Sequence, residues 1–146
     1  MADIVDAKTR SRMMAGIRGK NTTPELRLRK ALHGAGFRFR LHSAKLPGRP
    51  DIVLPKFRAA LFVHGCFWHR HESCSNASVP KSNAEFWEDK FARNVERDTA
   101  NVAGLHAAGW RVAIIWECAI RKKGEADVAE ELAVWLKSGG RDLDVG

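Results

Sequence analysis

Residues 64–74, HGCFWHRHESC, set three histidines and two of the chain's three cysteines beside a Phe-Trp pair. Thiolates and imidazoles at short spacing are the ligands of a tetrahedral structural zinc. Cys66, His71 and Cys74 follow the pattern Cys-x4-His-x2-Cys, and Cys118 can supply a fourth ligand from a strand end. That choice uses every cysteine; His69 is a rival ligand, and free cysteines beside a solvated histidine cluster are the bland alternative. Phe67 and Trp68 are consecutive and hemmed in by ligands, so both cannot easily face a core. An aromatic wedge or stacking platform for bases would use them.

Carboxylates supply the second set of clues. Asp51 follows Pro50 and opens an apolar run, where a charge is costly unless it has a role. A hard divalent cation takes oxygen ligands, so Asp51 and a backbone carbonyl of the companion strand, near Val63 and His64, could hold Mg²⁺. Shaping a turn after proline is the plainer reading. Asp98 falls on an apolar helical stripe with Phe91, Val95, Val102 and Leu105, and a carboxylate there needs a partner. The partner is either an arginine in a structural ion pair or a histidine, His69 or His64, oriented as a general base. Glu25, three residues after Thr22, fits a capping box, or it assists a metal-bound water. Trp87 begins a long helix among Lys90, Arg93 and Asn94, a helix start suited to approaching DNA.

The elements that must position these groups follow an α/β order with a mixed sheet. Residues 6–18 read as a basic amphipathic helix with Met13, Met14 and Ile17 on one side, packing on the core or facing DNA. Thr22 or Thr23 caps the next helix, Pro24 suits its first turn, and Gly34 or Gly36 ends it. FRFRL at 37–41 alternates as a half-exposed strand does. LPGRP makes a turn into a strand at 51–54, and AALFV at 59–63 is a second buried strand. A long helix spans roughly 84–107, a third core strand covers 111–116, a last helix covers about 125–138, and the tail from 139 is expected to be loose.

The whole chain of 146 residues is expected to form one domain, since domains cluster near about 100–150 residues. Its 25 Lys and Arg against 17 acids give a formal net charge of +8, which favours a polyanionic partner. Three cysteines argue against a closed disulfide framework and for a reducing compartment. The polar start MADIVDAKTRSR and the lack of a long apolar run lead us to expect a soluble, intracellular protein with no membrane partner.

Six ordered blocks, TRSRMM at 9–14, LPGRPD at 46–51, FVHGCFWH at 62–69, EFW at 85–87, NVERD at 94–98 and GWRVAIIWEC at 109–118, resemble the very-short-patch-repair (Vsr) endonucleases over nearly the full chain. The resemblance implies a restriction-endonuclease-like core, a mixed sheet flanked by helices with a histidine-rich site and a structural zinc. It implies nicking beside the thymine of a T:G mismatch left by deamination of 5-methylcytosine. Carried over by position, Asp51 and the carbonyl of Val63 would hold Mg²⁺, and His69 paired with Asp98 would activate water. His64 would assist at the phosphate, with Glu25 near the metal-bound waters. Cys66, His71, Cys74 and Cys118 would hold Zn²⁺. Phe67, Trp68 and Trp87 would intercalate, and Met14, Lys90 and Asn94 would contact DNA at that step, the N-terminal helix within 1–20 lying against it.

Two departures from the family pattern stand out. HRHESC carries one extra residue before its cysteine, and Val63 replaces a familiar threonine, although only its carbonyl is needed. The implied partners are double-stranded DNA with a T:G mismatch, a functionally linked cytosine-5 DNA methyltransferase and the mismatch-repair machinery. A monomer in the bacterial cytoplasm, nucleoid-associated when bound to DNA, is the expected form. Two other functions compete: a restriction-like endonuclease on matched DNA, and a zinc-stabilised DNA-binding module without nuclease activity. The module would have no reason to bring Asp51, His69 and Asp98 together.

Overall fold

The computed structural model describes residues 22–146 apart from 73, 76 and 79. The helix read at 6–18, with Met14, lies outside the described residues. From residue 22 the order is α1 (Thr23–Gly34), β1 (Arg40–Leu41), β2 (Ile52–Leu54), a 3-10 turn (Pro55–Phe57), β3 (Ala59–His64), α2 (Ala84–Ala107), β4 (Arg111–Trp116), α3 (Glu117–Lys123), α4 (Glu125–Ser138) and β5 (Asp142–Val145).

The strands form one mixed sheet in the order β1-β2-β3-β4-β5. β1, β2 and β3 pair antiparallel, whereas β4 and β5 continue parallel from β3. Strand side chains alternate between two cores, as a period of two requires. Ala59, Leu61, Ala113 and Ile115 pack with Leu28 and Leu32 of α1, Ile120 of α3 and Leu132 of α4. Ala60, Phe62 and Val112 turn the other way, against Leu105 and Val102 of α2. The sheet is therefore sandwiched, with α2 alone on one face among the described residues. β3 and β4 end in register at His64 and Trp116, and the chemically rich loop leaves from that end. No helix among the described residues is long and apolar enough to cross a membrane.

Several expectations need correction. The tail from 139 is not loose: Asp142–Val145 pairs with β4, burying Val145. Only Arg40–Leu41 of FRFRL pairs as strand, although Phe37 and Phe39 do pack on the core and Arg38 and Arg40 stay exposed. Val95 is 42% exposed and leaves the apolar stripe of α2. Thr22 caps α1 by backbone geometry without a side-chain hydrogen bond, so the capping box with Glu25 does not form. Cys118 lies within a short helix, α3, and not at a bare strand end.

Candidate active site and metal centre

His64, the last residue of β3, is 5% exposed and lies flat on the ring of His69, centroids 3.8 Å apart and planes within 5°. His69 Nδ1 is 2.6 Å from Asp98 Oδ2. The partner that Asp98 needs on α2 is thus an imidazole, delivered by the loop after β3. A carboxylate at Nδ1 holds the proton there and leaves Nε2 with a lone pair. Burial, and then the neighbouring imidazole of His69, push the pKa of His64 down to about 3. His64 is accordingly neutral at pH 7, and its buried Nδ1 has no hydrogen-bond partner among the described residues. An open cavity of about 660 Å³ fronts this group and is lined by His64, His69, Asp98, Trp116 and Asp144 among others.

A second cluster lies where β2 enters the sheet. Asp51 Oδ2 accepts the Val63 N–H at 2.7 Å, which ties the two sites through one residue of β3. Burial raises the pKa of Asp51 to about 7; the Val63 N–H opposes the rise and the Glu25 carboxylate adds to it. Glu25, 2% exposed on α1, pairs with Arg29 Nη2 at 2.7 Å and with His42 Nε2 at 3.0 Å. Ligand atoms of Glu25, His42 and Asp51 lie within 4.8 Å of one another. Two carboxyl groups crowded in one buried site repel, and a cation between them would relieve that repulsion.

The third cluster joins Cys66, His71, Cys74 and Cys118, again with ligand atoms within 4.8 Å of one another. Cys118 Sγ is 3.4 Å from His71 Nδ1. Zinc–sulfur and zinc–nitrogen bonds of about 2.0–2.3 Å give a tetrahedral edge of roughly 3.5 Å, so the donor set fits a zinc ion. The extra residue of HRHESC does not carry Cys74 away from the cluster. Burial, and then the neighbouring thiol of Cys118, push Cys66 up to about 12; a cation is what makes such thiols tenable as thiolates.

The aromatic residues form one patch beside this loop. Phe67 meets Trp68 and Phe91 edge-on at 5.1 Å, and Trp87 lies 5.8 Å from Trp68. Asn94 donates to the Trp68 carbonyl at 3.2 Å, so its amide braces the loop. Lys90, one turn after Phe86, is half-buried, while Phe86 is 56% exposed.

Three residues went unnoticed in the sequence. Arg70 donates to the carbonyls of Phe67, Ala77 and Ser78 and stacks 4.0 Å from the Phe91 ring centroid. Glu117 accepts the Cys66 N–H at 3.3 Å. His42 completes the Glu25 and Asp51 cluster. No local signal marks Arg70 or His42, because their partners are distant in sequence or are backbone atoms; Glu117 had only its place beside Cys118.

The family described as DNA mismatch endonuclease Vsr matches residues 2–76. The chain is 43% identical over 148 residues to the DNA mismatch endonuclease Vsr of Escherichia coli (strain K12), covering 99% of this chain and 94% of that one. It is 47% identical over 124 residues to the type II nicking enzyme V.XorIIP of Xanthomonas oryzae pv. oryzae, covering 85% of this chain and 90% of that one. It is 43% identical over 123 residues to the type II nicking enzyme V.NmeAIP of Neisseria meningitidis, covering 84% and 87%.

Proposed function

Since the chain belongs to the Vsr family of DNA mismatch endonucleases, we propose that it is an Mg²⁺-dependent endonuclease that nicks DNA beside the thymine of a T:G mismatch. The observation that carries this reading is the convergence on the end of β3. Asp51 is fixed by the Val63 N–H, and one residue later His64 stacks on an imidazole held by Asp98. A DNA-binding module would have no use for that arrangement.

His69, with its Nδ1 proton held by Asp98, takes the proton of the attacking water on Nε2, and the carboxylate stabilises the imidazolium that forms. His64 stays neutral and offers one N–H to a phosphate oxygen. Asp51 and the Val63 carbonyl would hold Mg²⁺, with Glu25 close to its waters; when bound, the ion supplies Lewis-acid polarisation of the phosphate. Cys66, His71, Cys74 and Cys118 would hold a structural Zn²⁺ that fixes the loop bearing Phe67, Trp68 and His69. On this reading the core is a restriction-endonuclease-like fold, with the site at one end of the sheet.

Phe67, Trp68 and Trp87 act as the wedge, with Lys90 and Asn94 on the helix beside it; the role the family resemblance implies for Met14 at that step falls outside the described residues. A T:G wobble stacks less well than a normal pair, so opening its step costs less. Deamination of 5-methylcytosine produces that mismatch, which links the activity to a cytosine-5 DNA methyltransferase.

The test is a strand-nicking assay with Mg²⁺ on duplexes that differ only in one T:G or C:G pair, run in several methylation contexts. Nicking beside the mismatched thymine, lost in Asp51→Ala with zinc content unchanged, is the expected result. Equal cutting of both duplexes would instead make the protein a restriction-like enzyme. Binding without cutting in every context would leave only the DNA-binding module.

A further inference from the structure

His42 is placed by unusual backbone geometry. It follows β1 in a left-handed conformation, φ 45°, that residues with a β-carbon seldom adopt. Its own N–H donates to the Asp51 carbonyl at 3.2 Å, which holds the turn. The ring points back at the acids, with Nε2 3.0 Å from Glu25 Oε2 and 3.9 Å from Asp51 Oδ1, and only 12% of the side chain is exposed. Backbone strain of this kind persists where the surroundings over-determine it, and it commonly marks a site.

The donor types then matter. Glu25 is already partnered by Arg29 at 2.7 Å, so it brings less negative charge to a cation than a lone carboxylate would. The imidazole brings a nitrogen lone pair when its proton resides on Nδ1. Mg²⁺ takes oxygen ligands almost exclusively; Mn²⁺ shares the preference for oxygen but, as a first-row transition-metal ion, accepts an imidazole nitrogen beside carboxylates more readily than Mg²⁺ does.

We infer that His42 is a nitrogen ligand of the divalent cation held at Asp51, and that it biases this site toward Mn²⁺ over Mg²⁺. The inference rests on the reading of Asp51 as the cation's carboxylate ligand, proposed above.

Mn²⁺ itself is the probe, bound to the zinc-loaded protein and read by pulsed electron paramagnetic resonance and by titration calorimetry. Bound Mn²⁺ should show nitrogen coupling that shifts on ¹⁵N-histidine labelling of the unaltered protein. His42→Gln keeps a hydrogen bond to Glu25 but removes the imidazole. It should abolish the coupling and lower Mn²⁺ affinity about tenfold while changing Mg²⁺ affinity less than about twofold. Mn²⁺ that is displaced by Asp51→Asn but shows no nitrogen coupling would overturn the assignment of His42 and leave Asp51 standing. Coupling that survives in a folded His42→Gln protein would do the same, by placing the nitrogen on another histidine. Mn²⁺ binding indifferent to Asp51→Asn would remove the reading of Asp51, and this inference with it.

Discussion

Burial drives Asp51 and His64 in opposite directions, and their effects on stability are opposite too. Asp51 is raised from 3.8 to about 7, so its contribution to folding is full below pH 3.8 and is lost as the pH rises through 7. His64 is lowered from 6.5 to about 3, so its contribution is full above pH 6.5 and is lost as the pH falls toward 3. In zinc-loaded protein without other divalent cations, Asp51→Asn should therefore be more stable than the parent at pH 8. That advantage should shrink as the pH is lowered to 4, while His64→Asn should gain relative stability over the same interval; urea denaturation at a series of pH values checks both. A steady advantage for Asp51→Asn across that range would show that Asp51 titrates normally. The His69–Asp98 contact at 2.6 Å carries a separate expectation. Asp98→Asn keeps the shape but lets Nδ1 lose its proton, so the nicking rate should fall about 10²–10⁴-fold with mismatch affinity almost unchanged. Loss of affinity in equal measure would make Asp98 a structural residue.

The loop that delivers Asp51 is positioned by α2, not by its own sequence alone. Gly48 has φ +76°, and a β-carbon there would come within 2.9 Å of Asn101, while a β-carbon on Gly104 would meet the Pro47 ring at 3.2 Å. Gly48→Ala is expected to destabilise the protein by about 1–3 kcal/mol, since it meets both strain and a clash. Gly34→Ala, in open space at the end of α1, is the control and should be neutral or slightly stabilising. Equal thermal shifts for the two variants would mean that the loop yields freely. Such docking explains why some elements were legible in the sequence and others were not. The bounds of α2 at 84–107, of β4 at 111–116 and of α4 at 125–138 follow from periodicity that their own residues carry. β5 was missed because two glycines precede it and it is only four residues long, although D-L-D-V alternates exposed and covered positions as an edge strand should. At the site, Cys66, His71, Cys74 and Cys118 were legible as a set because ligand chemistry is type-specific. The choice of His69 over an arginine for Asp98 is decided by the path of the loop, which no local pattern encodes.

Across the whole molecule, the three clusters share one end of the sheet, and the Cys/His cluster spans the chain's two central strands beyond their last pair. Three of its members lie in the loop after β3, and the fourth opens the segment after β4. Trp116, the last residue of β4, stacks on His71 at 4.2 Å and donates to Asp144 of β5, so β5 is coupled to the same corner. A zinc ion there would tie the aromatic patch and His69 to a core that does not itself need the metal, since the main apolar cluster is built from α1, α3, α4 and the sheet. Removing zinc with a strong chelator should then leave most helix and strand in place. A loss of about 3 kcal/mol would lower Tm by roughly 10 °C for a chain of this size. Mismatch selectivity should disappear while salt-dependent binding to any duplex persists, because the net charge of +8 is spread over the chain and is untouched. Circular dichroism, thermal melting and competition between T:G and C:G duplexes measure the three effects. Selectivity retained without zinc would mean that the aromatic patch is held by Arg70 and Asn94 alone. Complete unfolding would mean that the metal is part of the core and not a brace on the loop.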